Sequence, residues 1–451
     1  MPMTSKLAKL GLFDAMVPRY TSYPTAPQFK PAIGSDQMQE WIRSIAPDSQ
    51  ISLYLHIPFC RRLCWFCACR TQGTKTLSPV AGYLNTLKKE IALLGRCLPS
   101  GVRLSRMHWG GGTPTLLSAE MIRDLAQAVE HVVPLAPDAE FSVEIDPNEI
   151  DAERVRALAD VGMTRASIGV QDFDPEVQTT IGRIQGFGIT RTAVEMLRES
   201  GITSLNADIL FGLPHQDEAR IATSVQKLLT LNPDRVALFG YAHVPWMARR
   251  QSLIPSDALP APEHRLRLFE TARKLFEWDG YHQIGIDHFA TPEDRLAIAA
   301  KAGQLKRNFQ GYTDDPADTL VGLGASAISK FPQGYAQNAA ATSAHVKAIE
   351  SGRFSTARGH VFSGQDTLRA RIIEAIMCDF EVQTSDITTR FPNSEGQVTR
   401  LIKDAAEQFG DIVQVTKRGL RILPEGQPLT RIIARHFDAY DMSGAGHASA
   451  I

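Results

Sequence analysis

Six short runs rich in apolar and β-branched residues recur between residues 51 and 240, and a stretch with helical periodicity follows each. The runs are ISLYLHI (51–57), RMHWG (106–110), FSVEID (141–146), RASIGV (165–170), NADILFG (206–212) and RVALFG (235–240). In YLNTLKKEIALLG, Tyr83, Leu84, Leu87, Ile91 and Leu94 recur at helical spacing, which predicts Lys88, Lys89 and Glu90 on the opposite, solvated face. AVEMLRES and SVQKLLTL read the same way. Six strand–helix units in succession predict an α/β fold built on a parallel sheet or barrel.

Strands covered by helices should be apolar on both faces. Three of these are not. Alternation sets Tyr54 and His56 against Leu53, Leu55 and Ile57. It sets Ser142, Glu144 and Asp146 against Phe141, Val143 and Ile145, and Asn206 and Asp208 against Leu205, Ala207 and Ile209. Any one of these polar positions could be a strand-end cap. Three strands in agreement favour a polar lumen with a ligand inside, in a barrel wider or more open than the closed eight-stranded kind.

After residue 240 the pattern changes. GYHQIGIDHFA and LVGLGASAISK offer another strand and tight turns. Residues 362–440 read as a separate unit: TLRARIIEAIMCDF is an amphipathic helix, and DIVQVTKRGLRIL a hairpin turning at Arg418 and Gly419. Helices plus a hairpin resemble a winged-helix module, but no basic stripe accompanies it. Lys and Arg number 48 against 49 Asp and Glu, a net charge of -1, so no general attraction to nucleic acid or an anionic membrane is expected. No apolar run reaches the roughly 18 residues of a membrane span, and the N-terminus lacks the apolar core of a signal peptide, so a cytoplasmic location is expected.

Four of the six cysteines fall within HIPFCRRLCWFCACR, at Cys60, Cys64, Cys67 and Cys69. Cytosolic thiols stay reduced, so this cluster reads as metal-binding or catalytic. Cys97 and Cys378 sit in apolar helical contexts and read as small buried hydrophobes. Structural zinc usually takes two separated pairs, and no second pair follows. Cys60, Cys64 and Cys67 on one loop suit three corners of an iron–sulfur cluster, with one iron left open. Phe59, Trp65 and Phe66 would shield it from water, or simply pack the loop. GGGTPT (110–115) follows the second strand and reads as close backbone approach to a ligand. A phosphate loop is the rival, but the G-K-[ST] ending is absent.

C-x3-C-x2-C after the first strand, followed by GGGTPT, resembles the radical S-adenosylmethionine (radical SAM) superfamily. PRYTSYPTA (18–26), YLHIPFC, the extra Cys69, VEIDPN, GVQDF, DILFGLP, IGIDHFA and NFQGYT (308–313) together resemble the oxygen-independent coproporphyrinogen III oxidases over nearly the whole chain. That resemblance implies an open, three-quarter (β/α)6 barrel (46–300) with an N-terminal arm (1–45). It also implies a connecting segment (301–361), a mostly helical C-terminal domain (362–441) and a flexible tail (442–451). It implies a 4Fe–4S cluster on Cys60, Cys64 and Cys67, with S-adenosylmethionine chelating the open iron and a second S-adenosylmethionine nearby. Tyr54, Gly112, Thr113, Glu144, Gln171, Arg183, Asp208, Ala242 and Ile328 would surround S-adenosylmethionine, with Phe66 and Gly111 close by.

The implied reaction is oxidative decarboxylation of two propionates of coproporphyrinogen III to vinyls, giving protoporphyrinogen IX in anaerobic haem synthesis. A low-potential electron donor and a monomeric enzyme are expected, with neither nucleic acid nor membrane as partner. Tyr54, His56 and Cys69 are the candidate catalytic groups, although His56 alone could be a satisfied core histidine. Arg19, Arg61 and Arg62 are candidates to meet the substrate's four carboxylates, or are merely solvated. The alternative reading is a related haem chaperone without decarboxylase activity. Cys69 and the RYTSYPT segment argue against it.

Overall fold

The computed structural model describes residues 3–441 and 449–451. The six expected runs become strands β1 (Gln50–Ile57), β2 (Arg103–Gly111), β3 (Leu135–Ile145), β4 (Arg165–Gln171), β5 (Ser204–Phe211) and β6 (Arg235–Gly240). The helices after them are α1 (Ser78–Gly95), α2 (Ala119–Val132), α3 (Ala152–Asp160), α4 (Phe187–Glu199), α5 (Glu218–Leu229) and α6 (Pro262–Trp278). Ser118, Asp151 and Asp217 start three of them by accepting the backbone N–H three residues on. β1 to β6 pair in parallel, each with the next.

The sheet runs on past both ends. β7 (His282–Ile284) and β8 (His288–Ala290) add antiparallel strands beyond β6. β9 (Leu320–Leu323) pairs in parallel with the free edge of β1. β10 (Ile328–Phe331), β11 (Gly334–Asn338) and β12 (Thr356–Val361) then meander outward. The stretch 301–361, expected to connect, thus contributes four strands to a 12-stranded sheet. These strands are short, which is why periodicity showed so few of them. β7 and β12 are the two edges, so the barrel is open.

The alternation read from sequence holds. Leu53, Leu55, Ile57, Phe141, Val143, Ile145, Leu205, Ala207 and Ile209 are buried in one core with the inner faces of the helices. Each large side chain among them contributes about 1.5–3 kcal/mol. Glu90 departs from expectation. It is fully buried, and its carboxylate accepts the Gly324 N–H at 2.7 Å and Asn338 Nδ2 at 2.9 Å. Glu90 follows Leu87 by three residues and precedes Leu94 by four, so it lies on the apolar face, which the helix at Thr342–Glu350 covers, while Lys89 stays exposed.

The floor of the lumen is ionic. Register places Arg106 beside Glu140 and Arg165 one strand further on, with Arg235 level with Asn206 on β6. Arg106 and Arg165 both bond Glu140 Oε2, at 2.9 and 3.0 Å. Arg106 also meets Asp314 at 2.7 Å, and Arg235 meets Asp294 at 2.8 Å. Burial alone would raise the Glu140 pKa, but Arg165 and Arg106 outweigh it and hold the carboxyl at about 2.

The C-terminal domain comprises α7 (Gly364–Asp379), β13 (Glu381–Gln383), α8 (Thr384–Arg390), α9 (Glu395–Phe409), β14 (Val413–Thr416), β15 (Gly419–Ile422) and α10 (Thr430–His436). The hairpin turns one residue earlier than expected, at Lys417 and Arg418, because Thr416 pairs with Gly419. Gly419 is needed for proximity instead: a Cβ there would lie 2.0 Å from the Val382 carbonyl oxygen. Leu7, Leu12, Phe13, Val17, Tyr20 and Tyr23 of the N-terminal arm share one core with this domain. Most of the expected flexible tail, 442–448, lies outside the described residues. Its last three residues are seated instead. Ser449 bridges Met16, the Ala450 N–H donates to Ala15 O, and Arg431 Nη1 donates to the Ser449 and Ala450 carbonyls. Cys97 and Cys378 are buried free thiols, as expected. Among the described residues no helix is long and apolar enough to cross a membrane.

Glu140→Gln should destabilise the protein by about 3–5 kcal/mol, because it leaves two buried guanidinium groups without their shared carboxylate. Urea unfolding at pH 7 measures this. The native ion pairing should also weaken as pH falls below the ordinary glutamate value near 4.3 towards about 2, since the folded pKa is the depressed one.

Candidate active site

Above the ionic floor the registers stack two polar layers. Tyr54, His108 and Ser142 lie level on β1, β2 and β3, and Ser167 and Asn206 lie level on β4 and β5. Tyr54 stacks on His108 with ring centroids 5.7 Å apart. In the next layer come His56 beside Gly110, Glu144 beside Ser167, and Asp208 beside Gly169. Tyr54 Oη lies 2.9 Å from His56 Nδ1, and His56 Nε2 lies 3.2 Å from the Arg70 carbonyl oxygen. A carbonyl only accepts, so Nε2 carries the proton and Nδ1 accepts from the tyrosine hydroxyl. Burial lowers the His56 pKa and raises that of Tyr54 far above its usual value. Both rings are therefore neutral at pH 7.

The cysteine loop leaves β1 and is tied down along its length. Thr74 N donates to Cys60 O, Trp65 N to Ile181 O, and Gln251 Nε2 to Phe66 O at 2.7 Å. Arg250 Nη2 donates to Cys69 O at 3.1 Å and to Thr71 Oγ1. Trp65 and Phe66 pack against a small apolar cluster that includes Val177, Ile181 and Leu210, so loop packing is one true role of these aromatics. All four thiols are free. Cys67 Sγ receives hydrogen bonds from the Cys69 thiol and N–H, and these lower its pKa against burial, with help from Arg250 and Arg183. Burial pushes the Cys60 thiol up to about 11. Cys69, the donor in its pair with Cys67, is raised well above the ordinary thiol value. It is exposed, with its carbonyl held by Arg250.

The glycine run passes beneath this loop. A Cβ on Gly111, where φ is +107°, would sit 2.4 Å from His56 Cε1; one on Gly112 would sit 2.5 Å from Phe59 O. A Cβ on Gly110 would meet Glu144 Oε1 at 2.6 Å. Gly112 N and Thr113 N bond Ile57 O and Phe59 O, which fixes the run to the root of the cysteine loop. Gly111 N donates to Glu144 Oε2 at 3.0 Å, and His108 Nε2 lies 3.4 Å from Oε1. Arg183 faces the loop from the far side. It reaches Cys64 Sγ and Asp146 Oδ2, each at 3.5 Å, and donates from Nη2 to Gly169 O at 2.7 Å. Its Nε is buried without a hydrogen-bond partner.

Three free thiols on one anchored loop, a glycine cradle and a buried guanidinium with an unused donor fit an iron–sulfur cluster with a zwitterionic ligand beside it. Among the described residues no three His, Cys, Asp or Glu side chains converge on a single-ion site. Ligands spread over separate irons do not need to.

The other expected residues lie around the same lumen. Gln171 has φ +69° at a bulge between β4 and β5, beside Gly169 and Arg183. Ile328 faces Gly322, the partner of Tyr54 on β9. The Ala242 carbonyl accepts from Gln251 Nε2 at 3.0 Å, the same nitrogen that holds Phe66. Arg61 bonds the Lys75 carbonyl and Arg62 is solvated, whereas Arg19 lines a large cavity. Arg250, Gln251 and His108 were missed. His108 was legible, since it alternates with Arg106 in RMHWG; the other two lie in a loop with no periodicity.

Burial raises Asp208 to about 7, against the single bond it accepts from Asn206 Nδ2. The folded pKa is the higher one, so stability is lost as pH rises from about 4 to about 7. Asp208→Asn should therefore be more stable than wild type at pH 8, by about 1 kcal/mol or more, and equal to it at pH 4. Paired urea titrations at the two pH values check this.

The Radical SAM superfamily model matches residues 54–228. An oxygen-independent coproporphyrinogen III oxidase of Paracoccus denitrificans is 63% identical over 451 residues, covering 100% of both chains. One from Cereibacter sphaeroides is 58% identical, covering 98% of this chain and 99% of its own. Among solved structures, coproporphyrinogen III oxidase (HemN) from Escherichia coli, described as a radical SAM enzyme, superposes with a TM-score of 0.88. It is 35% identical, with 94% of this chain and 98% of that one covered. Polar lumen, anchored cysteine loop and full-length similarity agree, and the chain belongs to the oxygen-independent coproporphyrinogen III oxidase family of radical SAM enzymes.

Proposed function

We propose that this chain converts coproporphyrinogen III to protoporphyrinogen IX by removing two propionate carboxyl groups as CO2. The observation that carries the reading is the anchored loop of Cys60, Cys64 and Cys67 at the mouth of a polar lumen, with Glu144 and Arg183 flanking it. When bound, a 4Fe–4S cluster and S-adenosylmethionine supply one-electron sulfonium cleavage and the carbon radical that takes a hydrogen atom from a substrate β-carbon. Each propionate then loses CO2 and one electron and becomes a vinyl. The electron leaves to an acceptor outside the chain, and a low-potential donor outside the chain starts each cycle.

The chain's own groups bind and orient. Cys60, Cys64 and Cys67 would hold the cluster through their thiolates. Glu144 and Arg183 carry the opposite charges suited to the ammonium and carboxylate of a methionine end. Gly111, Gly112 and Thr113 give the ligand close backbone approach, while Tyr54, Gln171, Asp208, Ala242, Phe66 and Ile328 shape the rest of its seat. The Tyr54 hydroxyl keeps its proton and donates a hydrogen bond to His56 Nδ1, so both rings stay neutral inside the lumen. Cys69 stays a neutral thiol, on the cluster loop two residues past Cys67.

Reconstituted protein should hold about four irons and four sulfides per chain. Under strict anaerobiosis, with a reductant and an electron acceptor, it should release two CO2 per protoporphyrinogen IX. Ala at Cys60, Cys64 or Cys67 should abolish the cluster. Cys69→Ser should keep the cluster and lose most turnover. A cluster-loaded sample that cleaves S-adenosylmethionine, leaves coproporphyrinogen III intact and binds haem tightly would make the chain a haem carrier instead.

A further inference from the structure

A cavity of about 690 Å³ opens where the C-terminal end of β6 meets the N-terminal arm and the C-terminal domain. That volume lies in the range of sites for ligands of drug size. Ala242 and Gly240 line it, and Gln251 ties the Ala242 carbonyl to Phe66 in the cysteine loop. The cavity therefore borders the site described above. Its walls include Phe211, Phe239, Phe269 and Ile286, which suit the face of a large ring.

Its charge is predominantly positive. Arg19, Arg265, Arg273, Arg307 and Arg431 line it against Glu270, Asp287 and Glu425, and Glu270 is taken up by Arg273 at 2.6 Å. Asp287 lies 3.6 Å from Arg307 and 2.7 Å from His288, so it is already engaged. Among the described residues no side-chain carboxylate lies within ion-pair distance of Arg19, Arg265 or Arg431. Arg431 is instead clamped by the backbone carbonyls of Val17, Pro18, Ser449 and Ala450, and Arg265 by the carbonyls of Gly212 and Tyr241 and a main-chain oxygen of Ile451. Burial, then the neighbouring guanidinium groups, push Arg431 down to about 9 and Arg265 to about 10. Arg19, Arg265, Arg307 and Arg431 thus outnumber the carboxylates left beside them, Asp287 and Glu425, and the cavity keeps a net positive field. Buried charges without partners are costly, and a bound anion would relieve the cost.

Arg19 differs from the other three. A single bond, from Nη2 to Gly240 O at 2.8 Å, engages its guanidinium, so most of its five N–H donors face the cavity. Arg307 lies beneath it, with Nη2 3.5 Å from the Arg19 carbonyl oxygen, and its Nε and Nη1 lack hydrogen-bond partners. We propose that this cavity is a carboxylate subsite of the substrate, in which Arg19 grips a propionate directly while Arg265, Arg307 and Arg431 supply the surrounding positive field. The inference rests on the coproporphyrinogen reading and adds to it where the acidic end of the tetrapyrrole sits. Apolar walls and one cationic side match a ring carrying four carboxylates better than a neutral or singly charged ligand.

The test uses full-length, cluster-loaded protein under anaerobic conditions. Fluorescence titration with coproporphyrin III, the stable oxidised tetra-acid, is compared with its tetramethyl ester and with protoporphyrin IX, a di-acid. Turnover of coproporphyrinogen III is measured alongside. Wild type should bind the tetra-acid most tightly and the ester at least tenfold more weakly. Arg19→Gln should weaken tetra-acid binding at least tenfold and raise KM to match, with iron content and S-adenosylmethionine affinity unchanged. Arg19→Lys, which keeps the charge, should recover most of the loss. Tetra-acid binding by Arg19→Gln within twofold of a wild type that turns substrate over would sink the subsite and leave the activity standing. A wild type that neither binds coproporphyrin III nor turns over coproporphyrinogen III would overturn both.

Discussion

Three arginines point into the barrel, from β2, β4 and β6, and the polar lumen depends on how their charge is met. Glu140 is shared between Arg106 and Arg165, Asp294 holds Arg235, and Asp314 closes the far side of Arg106. This layer does what apolar side chains do in a closed barrel: it fills the floor. It differs in leaving the lumen polar from the first layer upward. Serine, asparagine and histidine can then line the walls without being stranded, because each has a polar neighbour on the next strand.

The mouth of the lumen is organised by proximity. Gly110, Gly111 and Gly112 each occupy a place where a Cβ would collide with Glu144, His56 or the root of the cysteine loop. The run therefore couples the cofactor seat to the loop that carries the thiols. Gln251 makes the same link from the other side, holding Phe66 and Ala242 with one amide nitrogen. Loop, cradle and the border of the large cavity are in this way parts of one rigid rim.

The architecture was legible where periodicity is strong. Leu53, Leu55 and Ile57 against Tyr54 and His56 announced both the sheet and its inward polar face. The cysteine spacing announced the loop because so few residue types suit it. What stayed hidden depended on distant segments. Glu90 shares the helical face of Leu87 and Leu94, but only the segments that supply Gly324, Asn338 and the helix at Thr342–Glu350 make a carboxyl group tolerable there. Gln171 sits at a bulge that no local pattern marks. Arg19 was a candidate from its sequence context, but Arg265, Arg307 and Arg431 lie far from it along the chain, and only the fold makes the four neighbours.

We propose that alternation on β3 delivers a carboxylate to the cofactor's charged end. Glu144 accepts from the Gly111 N–H at 3.0 Å, with His108 Nε2 3.4 Å from its other oxygen. Removing a charge-assisted bond in such a setting typically costs about 1.5–3 kcal/mol. Calorimetric titration of S-adenosylmethionine into cluster-loaded Glu144→Ala should give at least tenfold weaker binding than wild type while the cluster spectrum persists. Equal affinity in the two proteins, with intact clusters in both, would contradict the account.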